Sequence, residues 1–410
     1  MKKELLLFAT LLFCSQWILA QPKSINVMTF GDENTLFIAD SKSATIFAYE
    51  IEEEKNPSSK DYYNIFNLSD LIADLDHIKE SDILIREMKV HPISKIVYVA
   101  YDRKTINGYD PKIVTINQAG ELAFFDLENT KHTSISATDA PNLDRTYFET
   151  LDHRSLTFTD IDFFKGKLYV SGISNAEFSS TLRVFDYPFQ KETASSTTLE
   201  IYHAGHDQNE NRAPIVSMDF FEIEGKDYII AAYLCTPLVV FPLNEIKDGK
   251  YLKGKTIAEL GYGNLPNELF WVDEASVLGT VFPKGILITN HQRSARYVSL
   301  EDIIKGAKAT QIEKVPISLT AGVPFTELPI VGHLQTDNQD DQLIVSITRD
   351  LNTNNLQLLS YPKPMFFRLD DVHFSEFEMP TYDNPQMEQM RKKMAIDPLG
   401  RTYLSGKDNK

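Results

Sequence analysis

Residues Ile201 to Pro242 read IYHAGHDQNENRAPIVSMDFFEIEGKDYIIAAYLCTPLVVFP. A polar loop carrying His203 and His206 comes first, then two apolar runs separated by Glu224-Gly225-Lys226, then Cys235 and a third apolar run. Short runs rich in β-branched and aromatic residues, bounded by turn residues, are strands. The middle run, Asp227-Tyr-Ile-Ile-Ala-Ala232, ends in small residues, and its cadence recurs. It stands earlier as Thr35-Leu-Phe-Ile-Ala-Asp40, Lys95-Ile-Val-Tyr-Val-Ala100 and Lys167-Leu-Tyr-Val-Ser-Gly172. It returns as Gly285-Ile-Leu-Ile-Thr-Asn290 and Gln342-Leu-Ile-Val-Ser-Ile347, with an echo at Arg401-Thr-Tyr-Leu-Ser-Gly406. Self-similarity at a period of roughly 60 residues signals a repeat architecture.

Each copy carries a strand before the motif and one or two after it. Around the third copy these are expected over 156–164, 167–172, 181–186 and 198–203. Four short strands per unit with almost no helical periodicity describe a propeller blade. The fold class is therefore all-β: a single β-propeller of six or seven four-stranded blades over 21–370, with a short C-terminal helical appendage. That appendage falls in 371–410, where Met387, Met390 and Met394 have helical spacing. The innermost strand of each blade is expected to be apolar on both faces, as 215–221 reads. Residues 52–59 and 129–144 read as loops, and 62–78 as holding a helical turn.

The stretch Phe30 to Ala48, FGDENTLFIADSKSATIFA, resembles a blade of the secreted NHL and YVTN-type propellers. Met88-Lys-Val-His-Pro92 followed by Ile96-Val-Tyr-Val-Ala100 is similar to their next-blade opening. The likeness spans roughly 24–360 and concerns packing residues. It implies a fold and an extracytoplasmic setting, and no activity. No Cys-x-x-Cys-His haem motif is present.

Residues 1–20, MKKELLLFATLLFCSQWILA, have the layout of a secretory signal: Lys2 and Lys3, an apolar core holding Cys14, then small Ala20. Cleavage near Ala20 would export the protein to a periplasmic or extracellular space. It would also leave Cys235 without a second cysteine, so no internal disulfide is expected there. Loss of Lys2, Lys3 and Glu4 takes the formal charge from −17 to −18. Such acidity argues against nucleic acid, whose phosphates need a basic surface. No later stretch has the length of a membrane span.

In a propeller, the loops leading into the innermost strands and those joining second to third strands gather at the channel mouth. Arg86, Arg154 and Arg212 lead into innermost strands, and several arginines at one mouth could bind a carboxylate or phosphate. Asn267, His291 and Arg293 complete this ligand-binding set. Interleaved acids could instead pair with the arginines. His203 and His206, with Glu210 and Cys235, are candidate ligands for a divalent metal. Their alternative is a hydrogen-bonded loop network with a buried thiol. The nucleophile elbow, phosphate loop and His-Glu-x-x-His motifs are absent.

Three readings stay open. The first is an exported propeller binding a small molecule or protein at the channel mouth. The second is a metal-dependent propeller enzyme, lactonase-like or quinoprotein-like, using the same loops. The third is a scaffold for a larger surface complex, docking a partner through its acidic rim and its C-terminal segment.

Overall fold

The computed structural model describes residues 20–31, 34–51, 62–147, 151–190, 194–234, 236–261, 265–277, 280–290, 293–328, 330, 332–350 and 353–363. They form a six-bladed β-propeller. Blade 1 comprises Val27–Phe30, Thr35–Asp40, Thr45–Glu50 and His132–Ser136. Blade 2 comprises Ile83–Val90, Val97–Thr105, Gly108–Ile116 and Leu122–Phe124. Blade 3 comprises Asp160–Phe164, Lys167–Ile173, Ser180–Asp186 and Ser195–His203. Blade 4 comprises Ile215–Ile223, Lys226–Tyr233, Pro237–Pro242 and Lys255–Glu259. Blade 5 comprises Pro266–Val272, Gly285–Asn290, Ala295–Ser299 and Thr326–Leu328. Blade 6 takes Gln335–Asn338, Leu343–Arg349 and Leu356–Pro362, and closes with Asn64–Ile65 from far upstream.

The six copies of the sequence motif are the six second strands. A second strand is paired on both edges and covered on both faces by the neighbouring blades. Its residues are therefore apolar, β-branched or small without alternation, and Gly285–Asn290 is buried along its whole length. The seventh echo at 401–406, the helical methionines and the rest of 371–410 lie outside the described residues.

The blades do not follow one another around the ring in chain order. Six hydrophobic cores fill the six junctions, and the residues they draw on give the sequence 2-1-3-4-5-6, with blade 6 packing back on blade 2. The innermost strands touch in the same cyclic order. After its first three strands, blade 1 hands the chain to the outer edge of blade 6. The chain then builds blade 2 and returns as His132–Ser136 to finish blade 1. Blade 2 is thus inserted between the third and fourth strands of blade 1, and two long-range pairings lock it in place.

Two features differ from the sequence reading. Residues 129–144 are not all loop, because His132–Ser136 is an edge strand whose Ser and Thr side chains face outward in part. Innermost strands are not apolar on both faces: they alternate, and their second face lines the axis with charge. A helix does occur in 62–78, at Leu68–Asp76, where Leu68 and Ile72 seal the junction of blades 2 and 6. A second helix, Leu300–Lys308, is capped by Ser299, whose hydroxyl accepts the Asp302 N–H at 3.1 Å. Among the described residues, no helix is long and apolar enough to cross a membrane.

Candidate functional site

Because a strand sends alternate side chains to opposite faces, each innermost strand offers every second residue to the axis. Three of these strands also shift register near their starts, between Ile85 and Glu87, Ile215 and Ser217, and Pro266 and Leu269. Such bulges re-aim side chains. The result is an axial chamber of about 280 Å³ lined by all six blades. Blade 1 contributes Thr29, Phe30 and Gly31; blade 2, Lys89, Val90 and Pro92; blade 3, Asp160 and Asp162. Blade 4 contributes Ser217, Met218 and Asp219; blade 5, Glu268, Leu269 and Phe270; blade 6, Asp337 and Asn338. Glu87, also buried, is coupled electrostatically to Lys89 and Glu268.

Part of this polarity ties the ring together. Asp160 accepts the Met218 N–H at 2.6 Å, and Asp337 accepts the Val90 N–H at 2.7 Å. Ser217 Oγ accepts the Leu269 N–H at 2.9 Å. Each bond joins one blade to the next in the same sense around the ring. The remaining charge is unbalanced. Among the described residues Lys89 is the one cation of the lining, and its Nζ lies 3.2 Å from both carboxylate oxygens of Glu268. Asp162 Oδ2 is buried and, among the described residues, meets no hydrogen-bond donor.

Burial pushes Asp160, Asp219 and Glu268 up to about 7. Asp162 and Glu87 stand well above the usual carboxylate range, first through burial and then through their carboxylate neighbours, although Lys89 opposes the rise. Desolvation alone would lower Lys89, but Glu268, Glu87, Asp337 and Asp160 outweigh it and hold the ammonium well above its ordinary value. Like charges packed in a low dielectric cannot all ionise, so the cluster shares protons near neutral pH.

A larger hollow of about 420 Å³ lies at the rim, between blade 3 and residues 243–248. It draws on two blades only, and its Lys167 and Asp186 pair with each other.

The sequence-derived candidates fall elsewhere. Arg86 is engaged by Asp102, Nε to Oδ2 at 2.7 Å. Arg154 donates to the carbonyls of Ser41 at 3.0 Å and Pro141 at 2.8 Å. Asn267 Nδ2 donates to Leu334 O at 2.6 Å, which joins blade 5 to blade 6. Arg212 is exposed and Arg293 half-buried. Arg86, Arg154 and Asn267 thus spend their donors on the protein itself. His291 and Cys235 lie outside the described residues. Glu87 stands among the acids interleaved with the arginines, but the other axial carboxylates were missed, although a period-two signal was there: Glu87-x-Lys89, Asp160-x-Asp162 and Ser217-x-Asp219 precede three of the six motifs.

His203, His206 and Glu210 do come together, away from the axis. Strand Ser195–His203 turns back at residues 204–207 to pair with Gln208–Glu210, with His203 opposite Gln208. His203 and Glu210 are then diagonal neighbours on one face of a hairpin. Glu210 Oε1 lies 3.3 Å from His203 Nδ1, 2.6 Å from His206 Nδ1 and 3.0 Å from Gln208 Nε2. Burial acts to raise Glu210, but these hydrogen bonds offset it and hold the carboxyl at about 2. Behind the pair, His203 Nε2 meets Thr236 Oγ1 at 2.7 Å, and Thr236 in turn donates to the buried Glu259 of blade 4.

No family model and no curated protein matches the chain. Solved structures similar to it include domains 1–2 of the Drosophila Semaphorin 1b extracellular region, at 9% identity and a TM-score of 0.35 over 83% of this chain and 87% of that one. The same domains of Drosophila Semaphorin 1a give 9% and 0.35, over 84% and 87%. Virginiamycin B lyase from Staphylococcus aureus gives 7% and 0.33, over 82% and 95%. The functions named are diverse, and none of them is carried across at these identities.

Proposed function

We propose that the protein is an exported ligand-binding propeller whose axial chamber takes a small organic cation. One observation carries this reading: six carboxylates, Glu87, Asp160, Asp162, Asp219, Glu268 and Asp337, surround a single lysine where the six blades meet. A ligand bearing amino groups would add positive charge and N–H donors, including one for Asp162 Oδ2, which meets none among the described residues. Phe30 and Phe270 would cover its apolar part. A bare metal ion fits less well. Among the described residues, the one group of three or more ligand atoms within 4.8 Å of one another is His203, His206 and Glu210, none of it axial. Export rests on the leader-like residues 1–20.

Titration calorimetry of the purified protein with putrescine, spermidine and calcium chloride tests the reading. Saturable binding of an amine that is lost in Asp162→Asn/Asp219→Asn supports it. Binding of calcium alone would replace the amine with a metal, and silence from all three would end the proposal.

A further inference from the structure

We propose that His203, His206 and Glu210 form a second, separate site for a divalent transition metal such as Zn2+, at the outer edge of blade 3 where it meets blade 4. One proton decides the tautomer of His203. Thr236 Oγ1 gives its only hydrogen to Glu259, so at its 2.7 Å contact with His203 Nε2 it must accept. Nε2 therefore carries the proton, which leaves Nδ1 of the neutral imidazole as an acceptor turned toward Glu210 Oε1 at 3.3 Å, itself an acceptor. A proton on Nδ1 or a metal ion between the two satisfies both.

Three features favour the metal. The backing chain from imidazole to hydroxyl to buried carboxylate is the arrangement that fixes the tautomer and orientation of metal-bound histidines. The donor set of two imidazole nitrogens and one carboxylate oxygen suits zinc. Distances agree as well: three ligands at about 2.1 Å from a tetrahedral ion lie about 3.4 Å apart. The His203 to Glu210 separation of 3.3 Å already matches, and the 2.6 Å from His206 to Glu210 opens by a small swing of the exposed His206 ring. The exposure of His206 leaves the fourth coordination position to solvent. Any proton on either Nδ1 departs to water as the metal enters.

Competition of the purified protein against a chromophoric chelator measures Zn2+ uptake, and Co2+ substitution reports ligand geometry through its visible absorption. One metal per chain is expected, with affinity reduced at least tenfold by His206→Ala, whose exposed side chain can be removed without loss of the fold. Thr236→Val should lower affinity about 10- to 100-fold and alter the Co2+ spectrum, and Thr236→Ser should restore both. No stoichiometric uptake would mean that a proton bridges His203 and Glu210, and would overturn the proposal. Uptake unchanged in both His206→Ala and Glu210→Gln would overturn it too.

Discussion

Lys89 Nζ sits 3.2 Å from each carboxylate oxygen of Glu268, a residue of blade 5, while its own strand belongs to blade 2. The two are separated around the ring by blade 6, so this pair spans part of the axis. Lys89 also offsets Glu87, Asp160 and Asp337. Replacing it by Met would keep most of the volume and strand the carboxylates. Truncating one side of a buried ion pair typically removes about 3–5 kcal/mol. We expect that loss for Lys89→Met at about pH 8 and a smaller one at about pH 5, where the carboxylates hold protons. Urea denaturation at both values checks it; an equal loss would mean that Lys89 acts through packing alone.

The unmodified protein should itself be more stable in mild acid. Asp160, Asp219 and Glu268 have folded values near 7, raised from ordinary carboxylate values. Between about pH 4 and pH 7 the native state holds protons that the unfolded chain has released, so stability falls as pH rises. Glu210 works in the other direction. Held at about 2, it contributes stability that is lost only as pH falls below its unfolded value toward that figure. Thermal melts from about pH 2 to pH 8 should therefore show a maximum at about pH 4, with separate limbs for the axis and the rim.

Asp162→Asn isolates the axial limb. Among the described residues its Oδ2 meets no donor, and burial with Asp160 and Asp219 nearby disfavours its charge. Removing the charge should raise the melting temperature at about pH 8 by a few degrees, on the order of 1–2 kcal/mol, and by less at about pH 5, since the cost vanishes only near the unfolded value of about 4. A destabilisation at both values would show that the carboxylate is needed in its ionised form.

What the sequence disclosed follows from where local pattern and tertiary role coincide. Second strands such as Lys226–Tyr233 are buried on both faces, so their residues announce themselves without any knowledge of partners. Asn64–Ile65 and His132–Ser136 pair with segments far along the chain, and nothing local marks a two-residue strand or HTSIS as the edge of another blade. His203 and Glu210 were legible because a hairpin puts them on one face; Thr236 and Glu259 come from the neighbouring blade and were not. The partners of the arginines were hidden for a related reason. The sequence leaves Arg154 open to a ligand or to pairing within the protein, and the carbonyls of Ser41 and Pro141 lie within its reach only after blades 1 and 3 pack together.

Ligand binding in the axial chamber should be linked to protons. A cation needs the ionised carboxylates, and near neutral pH Asp160, Asp219 and Glu268 are only partly ionised. Affinity for an amine should thus rise as pH rises through about 7, with release of protons on binding. Calorimetry in two buffers of different ionisation enthalpy counts those protons directly. Affinity that stays flat across this interval would place the binding elsewhere than among these groups.

The interlocked order of blades predicts how the ring comes apart. Ile135 lies on the strand that returns to finish blade 1, is 8% exposed, and packs into the junction of blades 1 and 3. Ile135→Ala should cost about 2–4 kcal/mol, the range of a core truncation, although an edge strand would ordinarily tolerate it. Trp271 reports from the far junction, donating to Phe220 O at 2.7 Å between blades 4 and 5. If the return strand and Asn64–Ile65 close one cooperative ring, Trp271 fluorescence and far-ultraviolet circular dichroism should shift together to lower urea in this variant. If the Trp271 transition stays in place while the dichroism moves, blades 1 and 2 detach as a separate unit. Closure by these two strands would then not be what holds the propeller together.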